Sequence, residues 1–265
     1  MDPIVQFKEM QKAAWSNFAT LESITGTAAP RLVRFAGITA GAAVLDVACG
    51  TGVVALTAAR LGARVTGVDL TPQLVERAAE NAALMKIEAE FLQGDAEELP
   101  VPDAKFDFVV SQFGHMFAPR PEVVIKEMLR ALKPGGTIAF ATWPPELLTG
   151  RSFALMGKYG PPPPPGVSPP PQWGDPAVVR ERLGAAVKDI TFTRDTMIFQ
   201  TLSPQHFRLF METNLGPAKK LLETLDASEP AKAAALRREM EELAAQYFEN
   251  NTVRQDYLLT RAVKA

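Results

Sequence analysis

The segment that decides the fold reads Val44-Leu45-Asp46-Val47-Ala48-Cys49-Gly50-Thr51-Gly52. Its first half is a short run of mostly apolar residues, which is typical of a buried strand. Its second half carries two glycines and leads into residues 53–61, a predicted helix that ends at Gly62. A strand that passes through a glycine turn into a helix lets the backbone approach a ligand closely. The segment therefore predicts the first strand and the ligand-binding turn of an α/β fold.

Strand and helix patterns alternate along the chain after this turn. Such alternation predicts βαβ units and a parallel sheet that is covered by helices on both faces. A length of 265 residues favours one large α/β domain with appended segments over two domains of equal size. The predicted strands after the first cover residues 64–69, 90–95, 106–111, 137–143, 187–200 and 257–262, and predicted helices include residues 72–86, 121–132 and 176–183.

Three segments fall outside the regular alternation and are predicted to surround the edge of the sheet that carries the glycine turn. Residues 1–40 are predicted to form an N-terminal helical cap, and residues 144–176 a proline-rich loop with a short helical pattern at residues 151–158. Residues 203–250 are predicted to form a helical lid, inserted before the last strand. The remaining segment, 41–143, is interpreted as the core that binds the ligand.

Prolines crowd into residues 161–165 and 169–171. Such a run cannot form a helix or a central strand, because proline lacks the N–H that both structures use. We therefore expect a stiff polyproline loop that belongs to the cap and lies near the mouth of the site.

Composition excludes several classes of function. Lysine and arginine number 28 and the acidic residues 30, so the net charge of −2 offers no excess to hold a nucleic acid. The single cysteine, Cys49, excludes an intrachain disulfide, and two histidines leave little for a zinc site, so no metal is predicted. No basic leader and no apolar run of about 18 residues is present, which predicts a cytoplasmic protein without a membrane span.

An acidic residue, Asp69, ends the second predicted strand and is placed to accept the hydroxyls of a ribose. Two cofactor classes fit this plan, since residues 50–55 also satisfy the dinucleotide pattern G-x-G-x-x-A. Asp46, on the first strand, would repel the pyrophosphate of a dinucleotide. S-adenosylmethionine instead carries a sulfonium and an ammonium group and no phosphate. The charge placement favours S-adenosylmethionine and leaves a nicotinamide-dependent oxidoreductase as the less favoured alternative.

Five motifs in order resemble those of class I S-adenosylmethionine-dependent methyltransferases, of the ubiquinone/menaquinone C-methyltransferase-like (type 11) group. The resemblance covers about residues 42–143 and implies a Rossmann-like α/β fold. The implied sheet has seven mostly parallel strands in the order 3-2-1-4-5-7-6, with strand 7 antiparallel and helices on both faces. The implied cofactor is S-adenosyl-L-methionine, with S-adenosyl-L-homocysteine as product. The motifs lie at residues 45–52, 67–69, 94–100, 106–111 and 132–136.

The resemblance also assigns roles to individual residues. Asp69 would bind the ribose hydroxyls, Leu70 would pack on the adenine, and Asp95 and Ala96 would bond to the adenine edge. We expect the Cys49 thiol to be a small, buried and inert group rather than a nucleophile. The methionine part of the cofactor would contact Asp46, Ala48, Cys49, Gly50, Thr51 and Gly52, and its methyl would lie beside Ser111, Gln112 and Phe113.

Candidate groups for the methyl acceptor lie after the fourth and fifth strands and in the cap. His115 is a candidate general base, because a neutral imidazole can take a proton from an attacking group. The alternative is a loop histidine that bonds to the backbone or lines the cofactor pocket. Aromatic faces attract a sulfonium and stack on planar molecules, although each of these side chains would also suit core or lid packing. The candidate pocket residues are Trp15, Phe18, Met116, Trp143 and Trp173.

These features predict an enzyme that transfers a methyl group by in-line displacement to a small-molecule acceptor. Residues 111–114 read Ser-Gln-Phe-Gly rather than Asn/Asp-Pro-Pro-aromatic, which disfavours methylation of DNA bases or glutamine amides at amino groups. O-, N-, S- and C-methylation all stay open at this stage. A non-catalytic S-adenosylmethionine-binding protein is the main alternative, and we expect a monomer or a homodimer.

Overall fold

Eight strands form a single sheet in the computed structural model, which describes residues 2–265. Strands early in the chain run parallel, with Asp46 paired beside Gly67, whereas the last strand runs antiparallel to its long neighbours. Numbered along the chain, the strands are β1 (Ala43–Val47), β2 (Arg64–Asp69), β3 (Glu90–Gln93), β4 (Phe106–Gln112), β5 (Leu132–Thr142), β6 (Val187–Gln200), β7 (Phe248–Glu249) and β8 (Thr252–Lys264).

The strands lie in the order β3-β2-β1-β4-β5-β8-β6, and β7 pairs only with β8. This order confirms the predicted arrangement, because β8 has the position and direction of the predicted strand 7. The additional strand β7 forms a hairpin through Asn250 and Asn251, whose φ angles of 49° and 58° suit a two-residue turn. A strand of two residues is too short for a sequence pattern to reveal.

Helices cover the sheet and build the layer above its binding edge. Eight of them carry a proline at their first or second position, where the missing N–H would have had no helical partner. The helices are α1 (Pro3–Trp15), α2 (Glu22–Thr25), α3 (Ala29–Ala36), α4 (Val53–Ala59), α5 (Pro72–Met85), α6 (Pro121–Ala131), α7 (Leu148–Tyr159), α8 (Pro176–Leu183), α9 (Pro204–Asn214), α10 (Gly216–Ser228) and α11 (Pro230–Ala245). Within residues 2–265, no helix combines the length and apolar character that crossing a membrane requires.

Several predicted boundaries differ from the structure, and β8, for example, begins at Thr252 rather than at residue 257. β5 begins at Leu132 rather than at residue 137, because Leu132 already pairs with Phe106 and the register shifts before Thr137, next to Gly135 at φ +72°. Within the segment 144–176, the short helix predicted at residues 151–158 is α7, which begins earlier, at Leu148, and packs its leucines into a helical layer.

Two hydrophobic cores result from this arrangement. The larger one lies along the sheet and includes Leu45, Val109 and Phe140. The smaller one joins α7, α9, α10 and α11 to the far ends of β6 and β8, where Phe199 and Val253 are buried. Because each fully buried leucine or phenylalanine contributes about 1.5–3 kcal/mol, this second core can hold the helical layer in place over the sheet edge.

The N-terminal helix α1 connects the helical layer to the loops of the sheet. None of its residues is buried, so a few contacts must position it. Lys8 Nζ lies 2.6 Å from Asp95 Oδ2, and Gln11 Nε2 donates to the carbonyl of Phe117 at 3.0 Å. At its other end the carbonyl of Ala14 lies so close to Gly216 that a Cβ at position 216 would be 1.7 Å from its oxygen.

Substitution of Gly216 by alanine should displace α1, because the new Cβ would overlap the Ala14 carbonyl. We expect the free energy of unfolding to fall by roughly 1–3 kcal/mol and trypsin to cleave after Lys8 and Lys12 faster. The matched control is Gly157→Ala in α7, where a Cβ meets nothing within 4 Å. This control should leave stability unchanged or raise it by up to about 1 kcal/mol. Equal proteolysis of both variants would contradict the role of the contact.

Candidate functional site

A cavity opens where β1, β2 and β4 end and where α1 and the helical layer cover that edge of the sheet. In parallel α/β sheets this edge is the usual ligand position. The cavity brings together most of the predicted cofactor residues. Those that line it are Ala48, Gly50, Asp69, Leu70, Asp95, Ala96, Gln112 and Phe113.

A second, smaller cavity shares Ala48, Gly50 and Gln112 with the first. It is also lined by Asp46, Cys49 and Thr51, so these predicted residues lie beside the same turn. Two of the predicted cofactor-binding residues line neither cavity: Ser111 and Gly52.

Ser111 and Gly52 have structural roles instead. Ser111 is fully buried, and its Oγ accepts the backbone N–H of His115 at 3.1 Å. Gly52 precedes the first residue of α4 and adopts φ +81°. Thus the strand–turn–helix unit supports the cavity partly through residues that do not reach it.

Two buried carboxylates flank the glycine turn. Asp69 accepts the N–H of Gly50 at 2.8 Å through Oδ2 and the N–H of Thr71 at 2.9 Å through Oδ1. Asp46 accepts the N–H of Ala55 at 3.0 Å. Burial raises the pKa of both groups, that of Asp46 to about 8, and the charge of Asp69 raises the pKa of Asp46 further. Neither carboxylate forms an ion pair within residues 2–265, so this end of the site favours a cation.

Gln112 adds an unpaired acceptor to the same region. Its Nε2 donates to the carbonyl of Thr25 at 2.8 Å, which fixes the orientation of the amide. Its Oε1 is buried and has no hydrogen-bond partner among residues 2–265. A buried acceptor without a donor is costly, and a bound ammonium group would supply one. This set of acceptors thus fits the ammonium and ribose hydroxyls of S-adenosylmethionine better than a pyrophosphate.

The ends of β1 and β4 are held in unusual backbone conformations. Ala48 has φ 53° and Phe113 has φ 60°, although neither is glycine. Such residues cost about 1–3 kcal/mol each and are concentrated at functional sites. Gly114 permits the two strand ends to approach, since a Cβ there would lie 2.5 Å from the Cβ of Ala48. The ring of Phe113 stacks on Trp143 at 3.9 Å between centroids.

The other half of the cavity has an aromatic and aliphatic wall. Trp15 packs against Phe117 at 4.7 Å between ring centroids, and Phe117 packs against Phe153 at 5.4 Å. Of the five predicted pocket residues, the structure brings Trp15, Phe18 and Trp143 to the cavity. The wall residues that sequence reasoning did not identify include Phe117, Phe153, Met197, Phe199, Met211 and Leu215.

Lys8 and Gln255 also line the cavity and were not identified from the sequence. Lys8 Nζ contacts Asp95 Oδ2 at 2.6 Å and Glu97 Oε2 at 2.5 Å, so α1 closes the adenine end of the predicted cofactor site. A charge on the exposed face of a helix gives no local signal for such a contact. Within residues 2–265, no cluster of three or more His, Cys, Asp or Glu side chains is arranged to hold a metal ion.

His115 does not reach the cavity, in contrast to its predicted position. The residue begins a short 3₁₀ turn, and its fully buried ring packs between Phe140 at 4.7 Å and Trp173 at 4.6 Å. Burial lowers the pKa of His115 to about 3, and the charge of Arg182 lowers it further. This position in the core is incompatible with a proton-accepting role toward an acceptor, and we do not assign that role.

Met116 and Trp173 are likewise core residues, each 1% exposed, and neither lines the cavity. The proline run at 161–171 lies away from the cavity lining as well, although the N–H of Ser168 bonds to the carbonyl of Pro119, which does line it. The side chains that follow β4 and β5 therefore divide between the cavity and the core, a division that motif position alone does not reveal.

The buried neutral imidazole of His115 should make the fold sensitive to acid. In the unfolded chain His115 takes up a proton below about pH 6.5, whereas in the folded chain it stays neutral down to about pH 3. The free energy of unfolding should therefore fall as the pH is lowered from about 6.5 to about 3. The slope should reach about 1.4 kcal/mol per pH unit. In His115→Leu this component should vanish in urea unfolding curves taken between pH 7 and 4. His206→Leu, at an exposed position, is the control for loss of a histidine, and identical slopes in all three proteins would contradict the assignment.

Comparison with known proteins agrees with this geometry. A model of the methyltransferase domain family matches residues 45–140. An uncharacterized protein of Mycobacterium tuberculosis is 34% identical over 259 residues, which cover 96% of this chain and 93% of that protein. A demethylmenaquinone methyltransferase of Staphylococcus aureus is 38% identical over 135 residues, 49% of this chain and 55% of that enzyme.

The solved structure of the YcgJ protein of Bacillus subtilis shares the fold, with a TM-score of 0.60 at 19% sequence identity. The match covers 90% of this chain and 98% of that one. The sequence relationships identify the family, and the sheet order, the strand–glycine–helix unit and the cation-favouring turn agree with it. The chain belongs to the class I S-adenosylmethionine-dependent methyltransferases.

Proposed function

We propose that this methyltransferase acts on a small, largely apolar acceptor that loses its proton without help from a side chain of the enzyme. The observation that carries the proposal is the division of one cavity into two halves. One half is lined by the buried carboxylate of Asp69 and adjoins the smaller cavity that holds Asp46, and the other half has an aromatic and aliphatic wall.

The carboxylate half suits S-adenosylmethionine. Asp46 and the free Oε1 of Gln112 would receive its ammonium group, and the remaining lone pairs of Asp69 would receive the ribose hydroxyls. Leu70, Asp95 and Ala96 line the part of the cavity that would hold the adenine. When bound, the cofactor supplies a methyl group on a positively charged sulfur, which is already activated for displacement.

The aromatic half suits an acceptor with little charge. Trp15, Phe117 and Phe153 form a continuous wall, and Trp143 stacks on Phe113 beside the cofactor half. Such a wall would exclude water and orient the acceptor, and orientation alone can supply effective molarities of about 10⁵ M or more. A planar or aliphatic acceptor would gain most from these contacts.

The cavity offers no general base at the acceptor half. Its titratable lining residues within residues 2–265 are Lys8, Asp69 and Asp95, and Lys8 is paired with Asp95. Asp69 is held by two backbone N–H groups of the cofactor half. A nucleophile that ionises readily by itself is therefore favoured, such as a thiol, an acidic phenol or an enol.

The proposal is tested with S-adenosylmethionine that carries an isotopically labelled methyl group. The enzyme is incubated with a panel of thiols, phenols and enols, and products are analysed by mass spectrometry for the methylated atom. Labelled product from at least one neutral apolar acceptor is expected. If cofactor binds but charged acceptors alone are methylated, the proposed acceptor class is wrong, whereas binding without any turnover would favour a non-catalytic S-adenosylmethionine-binding protein. Preferential binding of a nicotinamide dinucleotide would contradict the cofactor itself.

Cofactor binding should release a proton from Asp46. The free carboxyl, with its pKa raised to about 8, is largely protonated at pH 7, and a cationic ligand should lower that pKa. Affinity should therefore rise with pH between about 6 and 8. Calorimetry at pH 7 in buffers of different ionisation enthalpy should detect the released proton in the wild-type protein and not in Asp46→Asn. The same release in both proteins would assign it to another group.

The rate should follow the ionisation of the acceptor rather than that of the enzyme. With thiophenol and phenylmethanethiol as acceptors, the pH at which kcat/KM reaches its plateau should shift with the pKa of the thiol. His115→Leu should leave both profiles unchanged in position, because the ring does not reach the cavity. A plateau at one pH for both thiols would reveal a titrating group of the protein.

A further inference from the structure

We propose that Gln255 determines acceptor specificity, by forming a hydrogen bond through its side-chain amide with a hydroxyl or carbonyl group of the acceptor. This inference rests on the proposed function of the cavity. The expected acceptor is then an apolar molecule that carries one hydroxyl or carbonyl group.

Gln255 occupies an inward-facing position of β8 where an apolar residue is expected. Side chains alternate along a strand, so residues 253, 255 and 257 share one face. Val253 and Tyr257 are fully buried, and Gln255 between them is only 6% exposed. Across the sheet, Gln255 pairs with Met197 of β6, which also lines the cavity. A glutamine in this row therefore requires a reason other than solubility.

The amide of Gln255 has no protein partner to justify its burial. No hydrogen bond among residues 2–265 involves its side chain, whereas Gln11 donates to the carbonyl of Phe117 and Gln112 to that of Thr25. The polar atoms of the Gln255 amide are also not completely buried, in contrast to the buried Oε1 of Gln112. Its polar atoms therefore open onto the cavity, where a ligand can reach them.

Three other polar groups line the cavity without a side-chain hydrogen bond within residues 2–265: the hydroxyl of Thr149 and the indole N–H groups of Trp15 and Trp143. Thr149, on α7, is partly exposed rather than buried. A partly exposed hydroxyl can bond to water, so its lack of a protein partner carries little cost. An indole offers a single donor, whereas the nearly buried Gln255 amide offers a carbonyl acceptor and two N–H donors whose pairing depends on the ligand.

The physical consequence is discrimination between acceptors of the same shape. An acceptor with a hydroxyl or carbonyl group would satisfy the amide, while one with a methyl group in its place would leave the amide desolvated and unpaired. Sites built to bond a polar group reject analogues that lack it far more strongly than apolar pockets reject an added group. We expect a preference of about tenfold to a hundredfold.

The experiment compares 2-naphthol with 2-methylnaphthalene, which differ by a hydroxyl in place of a methyl group. Dissociation constants are measured by equilibrium dialysis on the full chain saturated with S-adenosylhomocysteine. The wild-type protein should bind 2-naphthol at least about tenfold more tightly than it binds 2-methylnaphthalene. In Gln255→Met, which keeps the length of the side chain, this ratio should fall to about one. The matched variant Thr149→Val should retain the preference.

Thermal unfolding separates ligand binding from a structural role. If the Gln255 amide only stabilises the fold, Gln255→Met should lower Tm, and a lower Tm with an unchanged binding ratio overturns the proposal. If the amide serves the ligand, the variant should be as stable as the wild-type protein or more stable, because an unpaired buried group has been removed. A wild-type protein without preference between the two probes also overturns it.

Two further measurements separate failure of the Gln255 role from failure of the proposed methyl transfer. Calorimetric titration of S-adenosylmethionine into wild-type protein and into Gln255→Met should give the same affinity, since Gln255 lies on the acceptor half. If the wild-type protein shows the 2-naphthol preference but transfers no methyl group to any acceptor, the specificity role stands and the proposed function fails. If methyl transfer occurs but Gln255→Met keeps the wild-type binding ratio, the proposed function stands and the specificity role of Gln255 fails.

Discussion

The carboxylate of Asp69 joins the two parts of the chain on which the site depends. It binds the N–H of Gly50 in the glycine turn and the N–H of Thr71 before α5, so it fixes the end of β2 against the end of β1. The Asp69 carboxylate is itself buried, so its charged form is costly unless further donors or a positive charge reach it. The same interaction therefore shapes the turn and leaves a local excess of negative charge beside Asp46, which a cationic cofactor would balance.

The helical layer above this edge has its own hydrophobic core, and α1 links the layer to the cofactor half. Lys8 contacts Asp95 at one end of α1, while the Ala14 carbonyl meets Gly216 at the other. Because α1 buries no residue completely, these contacts hold it in place with little support from packing. Any movement of α1 would change both halves of the cavity together, since Lys8 and Trp15 lie on the same helix.

Local patterns predicted the parts of the fold that depend on local chemistry. The apolar run, the two glycines and Asp69 predicted β1, its turn and the end of β2, because strand period and turn chemistry act over a few residues. The direction of His115 could not be predicted in this way, since the packing of Phe140 and Trp173, distant in sequence, decides it. Gln255 was missed for the same reason: its exposure to the cavity depends on where β8 crosses beneath the helical layer.

The separation of charge from apolar surface has a chemical consequence. When an anionic nucleophile meets a sulfonium, charge is destroyed in the transition state, so a less polar environment favours that step over the solvated reactants. An apolar wall around Phe117 and Trp143 suits such a reaction, but a charged base in that wall would be costly to bury. An uncharged amide can orient a polar group of the acceptor at a smaller desolvation cost. The site must orient its acceptor without adding charge. This one constraint accounts for two observations within residues 2–265: the acceptor half has no titratable group, and it does have the amide of Gln255.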